Sequence, residues 1–293
     1  MAISVRKQIA QNKRNTILIM LIFVAIISLI GWAIAALSKN PSILIVFMVV
    51  SALYALFQYF FSDKLALMGT GAKATTEEDQ PRLYKTVKKL AEDANLPMPK
   101  VYIINDSAPN AFATGRDPQH SSVAATTGLL EVMDDEELRA VMGHEMSHVK
   151  NYDIRVSMIT FGLVVLVGLI SDFGLRVLWY SDRDEEENSP VGMLFILVTI
   201  ILAPIVATIV QLAISRQREY LADASSANLT GKPQSMINAL RKLDTHARPM
   251  HQQNVATEAL FIASPLKKSI LSRLFSTHPP IESRIERLEN AQK

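Results

Sequence analysis

The segment His144-Glu145-Met146-Ser147-His148 carries residue types that can hold a metal ion and activate water. On a helix, four residues at about 100° each bring the second imidazole to within about 40° of the first, so both rings can face one ion. A catalytic zinc site uses nitrogen and carboxylate ligands and keeps one position for water. Glu145 can take a proton from that water and pass it to a leaving amine. The pattern predicts metal-assisted hydrolysis.

A third ligand must come from elsewhere in the chain, and Glu219 is the candidate. It lies on a predicted helix, with Asp223 one turn later on the same face. A carboxylate at that offset can accept the free N–H of a metal-bound imidazole and hold the ring in place. Spacing alone leaves a second interpretation open, in which both acids lie on the surface and pair with Arg216 or Arg218. Three further histidines lie in polar stretches and are expected to be solvated: His120, His246 and His251.

Composition excludes several other kinds of site and partner. The 293 residues include no cysteine, which excludes disulfides, thiolate metal sites and cysteine nucleophiles. The formal net charge is +2, and no block of Lys and Arg with interleaved aromatic residues appears, so no nucleic-acid partner is expected. With 49% hydrophobic and 20% charged residues, the chain departs from the composition of an ordinary soluble protein.

The apolar residues collect in four long runs, which predict four membrane-spanning helices because a helix rises about 1.5 Å per residue across about 30 Å of hydrocarbon. The runs are Ile17–Leu37, Ser42–Phe61, Val156–Tyr180 and Val191–Ile214. The third is interrupted by Asp172 and Arg176, so a re-entrant or tilted helix stays open for it. These two charges would share a helix face as an ion pair, and a transporter interpretation would rest on them alone.

Basic residues near the ends of these runs predict the orientation of the chain. One side of the membrane receives most of them: Arg6, Lys7, Lys13, Arg14, Lys64, Lys150, Arg155, Arg216 and Arg218. The other side has Lys39 in one short loop and Arg183 beside an acidic string in another. We therefore expect both termini and the middle segment to be cytoplasmic. A cleaved signal peptide at the first run is the alternative, but the apolar core of that run is too long for one.

The runs divide the chain into four segments: 1–61 with a cytoplasmic arm and two membrane helices, 62–155, 156–214 with two further membrane helices, and 215–293. In the middle segment, apolar spacing predicts a helix from Gln80 to Asn95, strands at Val101–Ile104 and Ser121–Thr127, and a helix from an Asp cap to Lys150. In the last segment, helices are predicted through Glu219, at Ser235–Asp244 and at Ile281–Asn290. The two soluble segments must meet to complete the metal site.

In order and spacing, these features resemble the HtpX membrane proteases, which are bacterial relatives of the CAAX prenyl proteases. The resemblance rests on the paired first spans, Asn110-Ala111-Phe112-Ala113-Thr114-Gly115, the 144–148 helix, two further spans, Glu219 with Asp223, and Thr277-His278-Pro279-Pro280. It implies a mainly α, multi-pass helical membrane protein of four spans with a cytoplasmic α+β zincin-like metalloprotease domain. It also implies one zinc ion per chain, held by His144, His148 and Glu219, with Asp223 holding a ligand histidine.

The resemblance implies an activity as well: zinc-dependent endoproteolysis of misfolded or damaged membrane proteins and unfolded polypeptides. The active site would act on the cytoplasmic side of the bacterial cell membrane, in envelope quality control. Asn110, Ala111 and Phe112 would form the edge of a small sheet to which an extended substrate adds a strand, and His278 or a nearby Arg would stabilise the oxyanion. Two alternatives stay open: a prenyl-protein protease, which should have more spans, and a membrane scaffold with structural zinc, which would need a fourth ligand.

Overall fold

The computed structural model describes residues 2–37, 39–163, 165–166, 216–252, 260–263 and 279–291. The α-helices with both ends inside these ranges are α1 (Ala2–Leu37), α2 (Ser42–Gly69), α3 (Pro81–Ala94), α4 (Thr127–Val132), α5 (Asp135–Lys150), α6 (Arg216–Thr230), α7 (Pro233–Thr245) and α8 (Ile281–Asn290). The strands are β1 (Lys73–Ala74), β2 (Lys100–Ile104), β3 (Ala111–Gly115) and β4 (Ser121–Thr126). Residues 153–163 are also helical.

The first two predicted spans are helices with largely exposed apolar surfaces. Lys7–Trp32 and Ser42–Gly69 are long and apolar enough to cross a membrane. Only 22% and 17% of their most apolar stretches are buried, whereas the core helix of a soluble protein would be mostly buried. Leu21 and Ile45, for example, are each 63% exposed. So much exposed apolar surface on two long helices indicates membrane association.

Most of the third predicted span, with Asp172 and Arg176, lies outside the described residues, as does all of the fourth. The described start of the third is helical and packs against the first two helices. Its buried residues Val156, Ile159 and Leu163 form one apolar cluster with Ile19 and Phe23 of α1 and Ala55 of α2. The hydroxyl of Tyr54 on α2 donates to the carbonyl of Gly162 at 2.8 Å.

Four strands between α2 and α5 form a sheet in the order β1-β2-β4-β3. β2 and β4 are parallel, with Val101 opposite Val123. β3 runs antiparallel to β4, with Phe112 opposite Ala124, and lies at the edge of the sheet. All five residues of β3 are buried, so this edge lies inside the molecule rather than in solvent.

The two faces of the sheet pack against different parts of the chain, because successive side chains of a strand point to opposite faces. Ala111 and Ala113 of β3 join the apolar core that includes α3, α5 and α7. Phe112, between them, joins a second core with Leu67 near the end of α2 and Phe161 from the start of the third apolar run. The sheet therefore connects the helix that carries the two histidines to the membrane-associated helices.

α5 begins at a capping box. Asp134 accepts from the backbone N–H of Glu137, and the Glu137 side chain accepts from the N–H of Asp134, both at 2.8 Å. These two bonds satisfy backbone donors that a helix start leaves unpaired, and the acids in the first turn favour the helix dipole. The predicted Asp cap is confirmed, and the predicted end at Lys150 is the observed one.

α6 packs directly onto α5 where Gly143 faces Ser226. A Cβ on Gly143 would lie 2.9 Å from the Ser226 hydroxyl oxygen, so glycine permits the close approach. That hydroxyl donates to the carbonyl of Ala140. Glu219 and Asp223 lie about two turns and one turn before Ser226 on the same face of α6. The contact between the two helices therefore brings both acids to the histidines.

Candidate metal centre

Three side chains from two distant helices direct their donor atoms into one small space. The Nε2 atoms of His144 and His148 are 3.1 Å apart. Glu219 places one carboxylate oxygen 3.7 Å from Nε2 of His144 and the other 3.5 Å from Nε2 of His148. All three donors lie within 4.8 Å of one another, and His144 is only 1% exposed. Of the described residues, these three could hold a metal ion.

The other nitrogen of each imidazole is bound by a buried carboxylate. Nδ1 of His144 lies 2.9 Å from Asp223, and Nδ1 of His148 lies 3.0 Å from Asp153. Arg284 Nη2 also lies 3.4 Å from Nδ1 of His144, but it is a donor, and the nearer carboxylate can only accept. We therefore assign the proton of each neutral ring to Nδ1. This assignment leaves a lone pair on each Nε2.

The donor set fits a divalent metal ion. Two Nε2 lone pairs that face each other across 3.1 Å repel unless a proton or a metal cation lies between them. In a tetrahedral zinc site with bonds of about 2.0–2.1 Å, neighbouring donors are about 3.3 Å apart. The observed separations of 3.1, 3.5 and 3.7 Å bracket that value. Nitrogen and carboxylate donors without thiolates suit zinc and other divalent ions of its kind.

Arg284 of α8 braces the acid that holds the first histidine. Its guanidinium binds Asp223 through two bonds, Nε to Oδ2 at 2.8 Å and Nη2 to Oδ1 at 2.6 Å. Nη1 donates to the carbonyl of Ile262 at 3.3 Å and lies 3.9 Å from Glu219. Arg284 is 1% exposed, which is tolerable only because its charge is paired.

The acids of the site strongly favour positive charge. Burial would raise the pKa of Asp223, but the charge and hydrogen bonds of Arg284 lower it to about 2. Burial likewise disfavours the imidazolium form of His148, yet its hydrogen bond with Asp153 and the charge of Glu219 raise its pKa to about 9. The same field that stabilises a proton on His148 would stabilise a metal cation.

Glu145 lies at the same site, next to the first histidine on α5. Its side chain is buried, with 2% of the residue exposed. Its charge contributes to raising the pKa of both His148 and Arg284, after larger contributions from other groups. A carboxylate within electrostatic reach of the metal donors, and placed beside them, is suited to exchange protons with a water molecule held there.

The predicted substrate edge is already in contact with another part of the chain. The carbonyl of Ala111 accepts from the N–H of Ile262 at 3.0 Å, and Phe112 pairs with Phe261 as an antiparallel bridge. The Asn110 side chain donates to the carbonyl of Ala263 at 2.8 Å. Residues 260–263 therefore cover the outer edge of β3 at its start.

The remaining predictions concern the histidines outside the metal centre and the alternative placement of the two acids. His278 lies outside the described residues. His120, His246 and His251 are exposed, as expected. Glu219 and Asp223 are buried, which contradicts the alternative in which both acids lie on the surface. Arg218 instead lies 3.7 Å from Asp153.

Sequence reasoning missed Asp153 and Arg284. Arg284 had a signal: it falls on the apolar stripe of α8, between Ile281 and Leu288, where a charged residue needs a buried partner. Little in the sequence indicates Asp153, because it lies beyond the end of α5 and reaches His148 only through the turn at Tyr152, whose φ is +60°.

Two histidines and a glutamate on one helix, with a carboxylate from a second helix among the donors, are typical of a metallopeptidase site. The chain belongs to peptidase family M48, whose sequence profile matches residues 77–292. It is therefore a metalloprotease.

Two of its relatives carry the name Protease HtpX homolog. The one from Tropheryma whipplei (strain Twist) is 50% identical over 281 residues, which are 96% of each chain. The one from Streptococcus gordonii is 47% identical, over 96% of this chain and 98% of its own.

A solved structure shares the fold. The crystal structure of S. mikatae Ste24p matches with a TM-score of 0.54 and 20% sequence identity. The match covers 92% of this chain but 61% of the other, so this chain spans less than two thirds of that protein. At this identity the similarity supports the architecture alone.

We expect Arg284→Leu to lower the free energy of unfolding by about 3–5 kcal/mol, because it leaves Asp223 charged and buried without its partner. Denaturant unfolding of the detergent-solubilised chain would measure the loss. Arg287→Leu is the matched control on the same helix, since Arg287 is exposed and contacts only the ring of Tyr220 among its described contacts. The free energy of unfolding of Arg287→Leu should fall by no more than about 1 kcal/mol. Equal losses for the two variants would contradict the bracing role of Arg284.

Proposed function

We propose that this chain is a zinc-dependent endopeptidase of the bacterial cell membrane that cleaves misfolded or damaged membrane proteins on the cytoplasmic side. One zinc ion per chain would be held by His144, His148 and Glu219. The observation that carries this proposal is the convergence of the three donors within 4.8 Å of one another beside Glu145. A structural zinc site would have a fourth protein ligand, and the described residues supply three donors.

The proposed roles follow from where each side chain lies. A bound zinc ion would supply a Lewis acid and lower the pKa of a water molecule. Glu145 accepts the proton of the attacking water and delivers it to the nitrogen of the leaving amine. Asp223 holds the ring of His144 through Nδ1, so that Nε2 stays deprotonated and directed at the metal position.

Stabilisation of the oxyanion is proposed for His278 rather than for Arg284. Arg284 is buried, and both edges of its guanidinium are engaged, by Asp223 and by the carbonyl of Ile262. It therefore acts on the site through Asp223. His278 precedes α8 by three residues, which is close enough in the chain to the site residue Arg284 to support the proposal.

Asn110, Ala111 and Phe112 are proposed to bind substrate as an edge strand. β3 lies against α5, the helix of the two histidines, which supports this position. Because residues 260–263 pair with Ala111 and Phe112, an extended substrate would have to displace them to pair with this edge. The polypeptide backbone, rather than particular side chains, would then supply most of the recognition.

The charges that flank the apolar runs support the proposed side of the membrane for the active site. Both soluble segments contribute to one site, so they must lie on the same side of the membrane. Lys and Arg predominate at the ends of the runs next to these segments, which supports a cytoplasmic location. Substrates would be membrane proteins and unfolded chains that expose extended backbone near this surface.

Glu145→Gln should abolish proteolysis while leaving about one zinc ion per chain, because it removes the base and none of the donors. Hydrolysis of a membrane-protein substrate would be followed with and without a chelator and after return of zinc, with metal content measured by atomic absorption. We expect a loss of several orders of magnitude. Glu219→Ala is the contrasting variant, and it should lose the metal as well as the activity. Turnover retained by Glu145→Gln, or metal retained by Glu219→Ala, would refute the corresponding role.

The inactive Glu145→Gln chain also allows a test of the substrate strand. Adding an unfolded polypeptide should slow amide hydrogen exchange in residues 111–115, because new strand pairing protects these N–H groups. Mass spectrometry of the deuterated chain would measure it, with β2 as the control strand in the interior of the sheet. Exchange that slows equally in both strands, or in neither, would place substrate elsewhere.

A reporter enzyme fused after Lys293 should be active in the cytoplasm, since the flanking charges predict a cytoplasmic carboxyl terminus. The same reporter inserted after Lys39 should give the opposite signal, because that loop is predicted to lie outside. Activity assays in intact cells and in lysed cells would separate the two locations. An external signal from the Lys293 fusion would overturn the proposed orientation.

A further inference from the structure

Asp153 lies immediately beyond the helix that carries the two histidines. α5 ends at Lys150, and Tyr152 adopts a left-handed backbone with φ of +60°, which turns the chain sharply. The turn places one carboxylate oxygen of Asp153, Oδ2, 3.0 Å from Nδ1 of His148. Asp153 is 3% exposed, so its charge needs partners inside the protein.

The nearest partner of the other carboxylate oxygen comes from α1. The Asn12 side chain donates from Nδ2 to Oδ1 of Asp153 at 2.6 Å and also to the carbonyl of Asn151 at 2.9 Å. Asn12 is 3% exposed. Two weaker contacts reach the same oxygen, from Gln8 at 3.4 Å and from Arg218 at 3.7 Å. One buried amide therefore fixes both the carboxylate and the backbone of the turn that carries it.

A second contact between α1 and this turn is independent of Asn12's amide. The ammonium of Lys13 lies 4.3 Å from the centre of the Tyr152 ring, on the residue that makes the turn. Asn12 itself is held on a continuous helix, where the Thr16 hydroxyl bonds its carbonyl at 2.9 Å. The polar start of α1 is thus a docking element for residues 151–153.

We propose that Asn12 is a positioning residue for the metal centre, acting through Asp153 on His148. The inference rests on the proposed zinc site. Asn12 anchors Oδ1 of Asp153, which leaves Oδ2 directed at Nδ1 of His148 and so keeps Nε2 facing the metal position. Without Asn12 the carboxylate can rotate away from the ring, and a buried oxygen loses its strongest described donor.

This arrangement couples the amino-terminal helix to the metal. A ligand that binds the ordered form of a site stabilises every contact which that form requires, and the coupling works in both directions. Zinc should therefore tighten the docking of residues 8–16, and correct docking of this segment should raise the affinity for zinc.

Asn12→Ala should weaken zinc binding about tenfold, the lower end of the effect of removing a group that orients a metal ligand. Competition with a chromophoric chelator on the full, detergent-solubilised chain would measure the affinity, and the visible spectrum of the Co²⁺ form would report the ligand geometry. Gln11→Ala is the matched control, since Gln11 is the neighbouring exposed amide. Asn12→Gln, which keeps the donor, should recover part of the lost affinity.

A double-mutant cycle separates this role from a general structural one. If Asn12 acts through Asp153, then Asn12→Ala should have no further effect on zinc affinity in an Asp153→Ala background. The inference is overturned if Asn12→Ala binds zinc as the wild-type chain does, or if it loses the same factor in both backgrounds.

The unaltered chain supplies a measurement that does not depend on the variants folding. Removal of zinc should speed amide hydrogen exchange in residues 8–16 relative to α3, which packs in the core with α5 and α7 and has no described hydrogen bond to α1. Unchanged exchange would count against the coupling. A wild-type chain that binds no zinc would instead refute the proposed metal site, so the two failures are distinguishable.

Discussion

The structure of the site depends on the fixing of two imidazole rings by buried acids. Asp223 and Asp153 each accept a hydrogen bond from the Nδ1–H of one ring, which directs both Nε2 lone pairs into the same space. Each of these acids is in turn held by a side chain from a distant part of the sequence, Arg284 for Asp223 and Asn12 for Asp153. Such a site cannot form locally, because neither the rings nor the acids are oriented until several helices have packed.

The close contact between α5 and α6 provides the framework for this arrangement. Gly143 allows the Ser226 hydroxyl to reach the backbone of α5, and this fixes the distance between the two helices. Glu219 and Asp223 then face the histidines from the partner helix. The sheet adds a second constraint, because β3 packs on α5 with one face and on the ends of the membrane-associated helices with the other. The metal site and the membrane helices thus share one packed structure.

Local patterns in the sequence predicted the helices and the histidine pair well, because their causes are local. The Asp134 cap, the apolar spacing and the 144–148 motif all act within a few residues of each other. Arg284 escaped prediction because its partner Asp223 lies 61 residues away and is met only after folding. Asp153 escaped because it reaches His148 only through the left-handed turn at Tyr152, which no local pattern indicates. The sequence predicts the polar start of α1 only as a cytoplasmic arm. In the structure it forms one continuous helix with the first apolar run. The role of its buried Asn12 can be recognised only from the contact with residues 151–153, which are distant in the sequence.

The unbroken course of α2 has a mechanical consequence. The helix runs past the end of its apolar run at Phe61 to Gly69, and β1 follows at Lys73. Eight helical residues span about 12 Å and bend little, in contrast to a flexible linker. The sheet beside the metal centre is therefore held at a fixed distance from the membrane by a rigid helix. Leu67 of this helix packs in the same apolar core as Phe112 of β3, which restricts rotation of the sheet about the helix. Under the proposed function, a substrate anchored in the same bilayer would be cut only where its extended chain reaches that distance from the membrane.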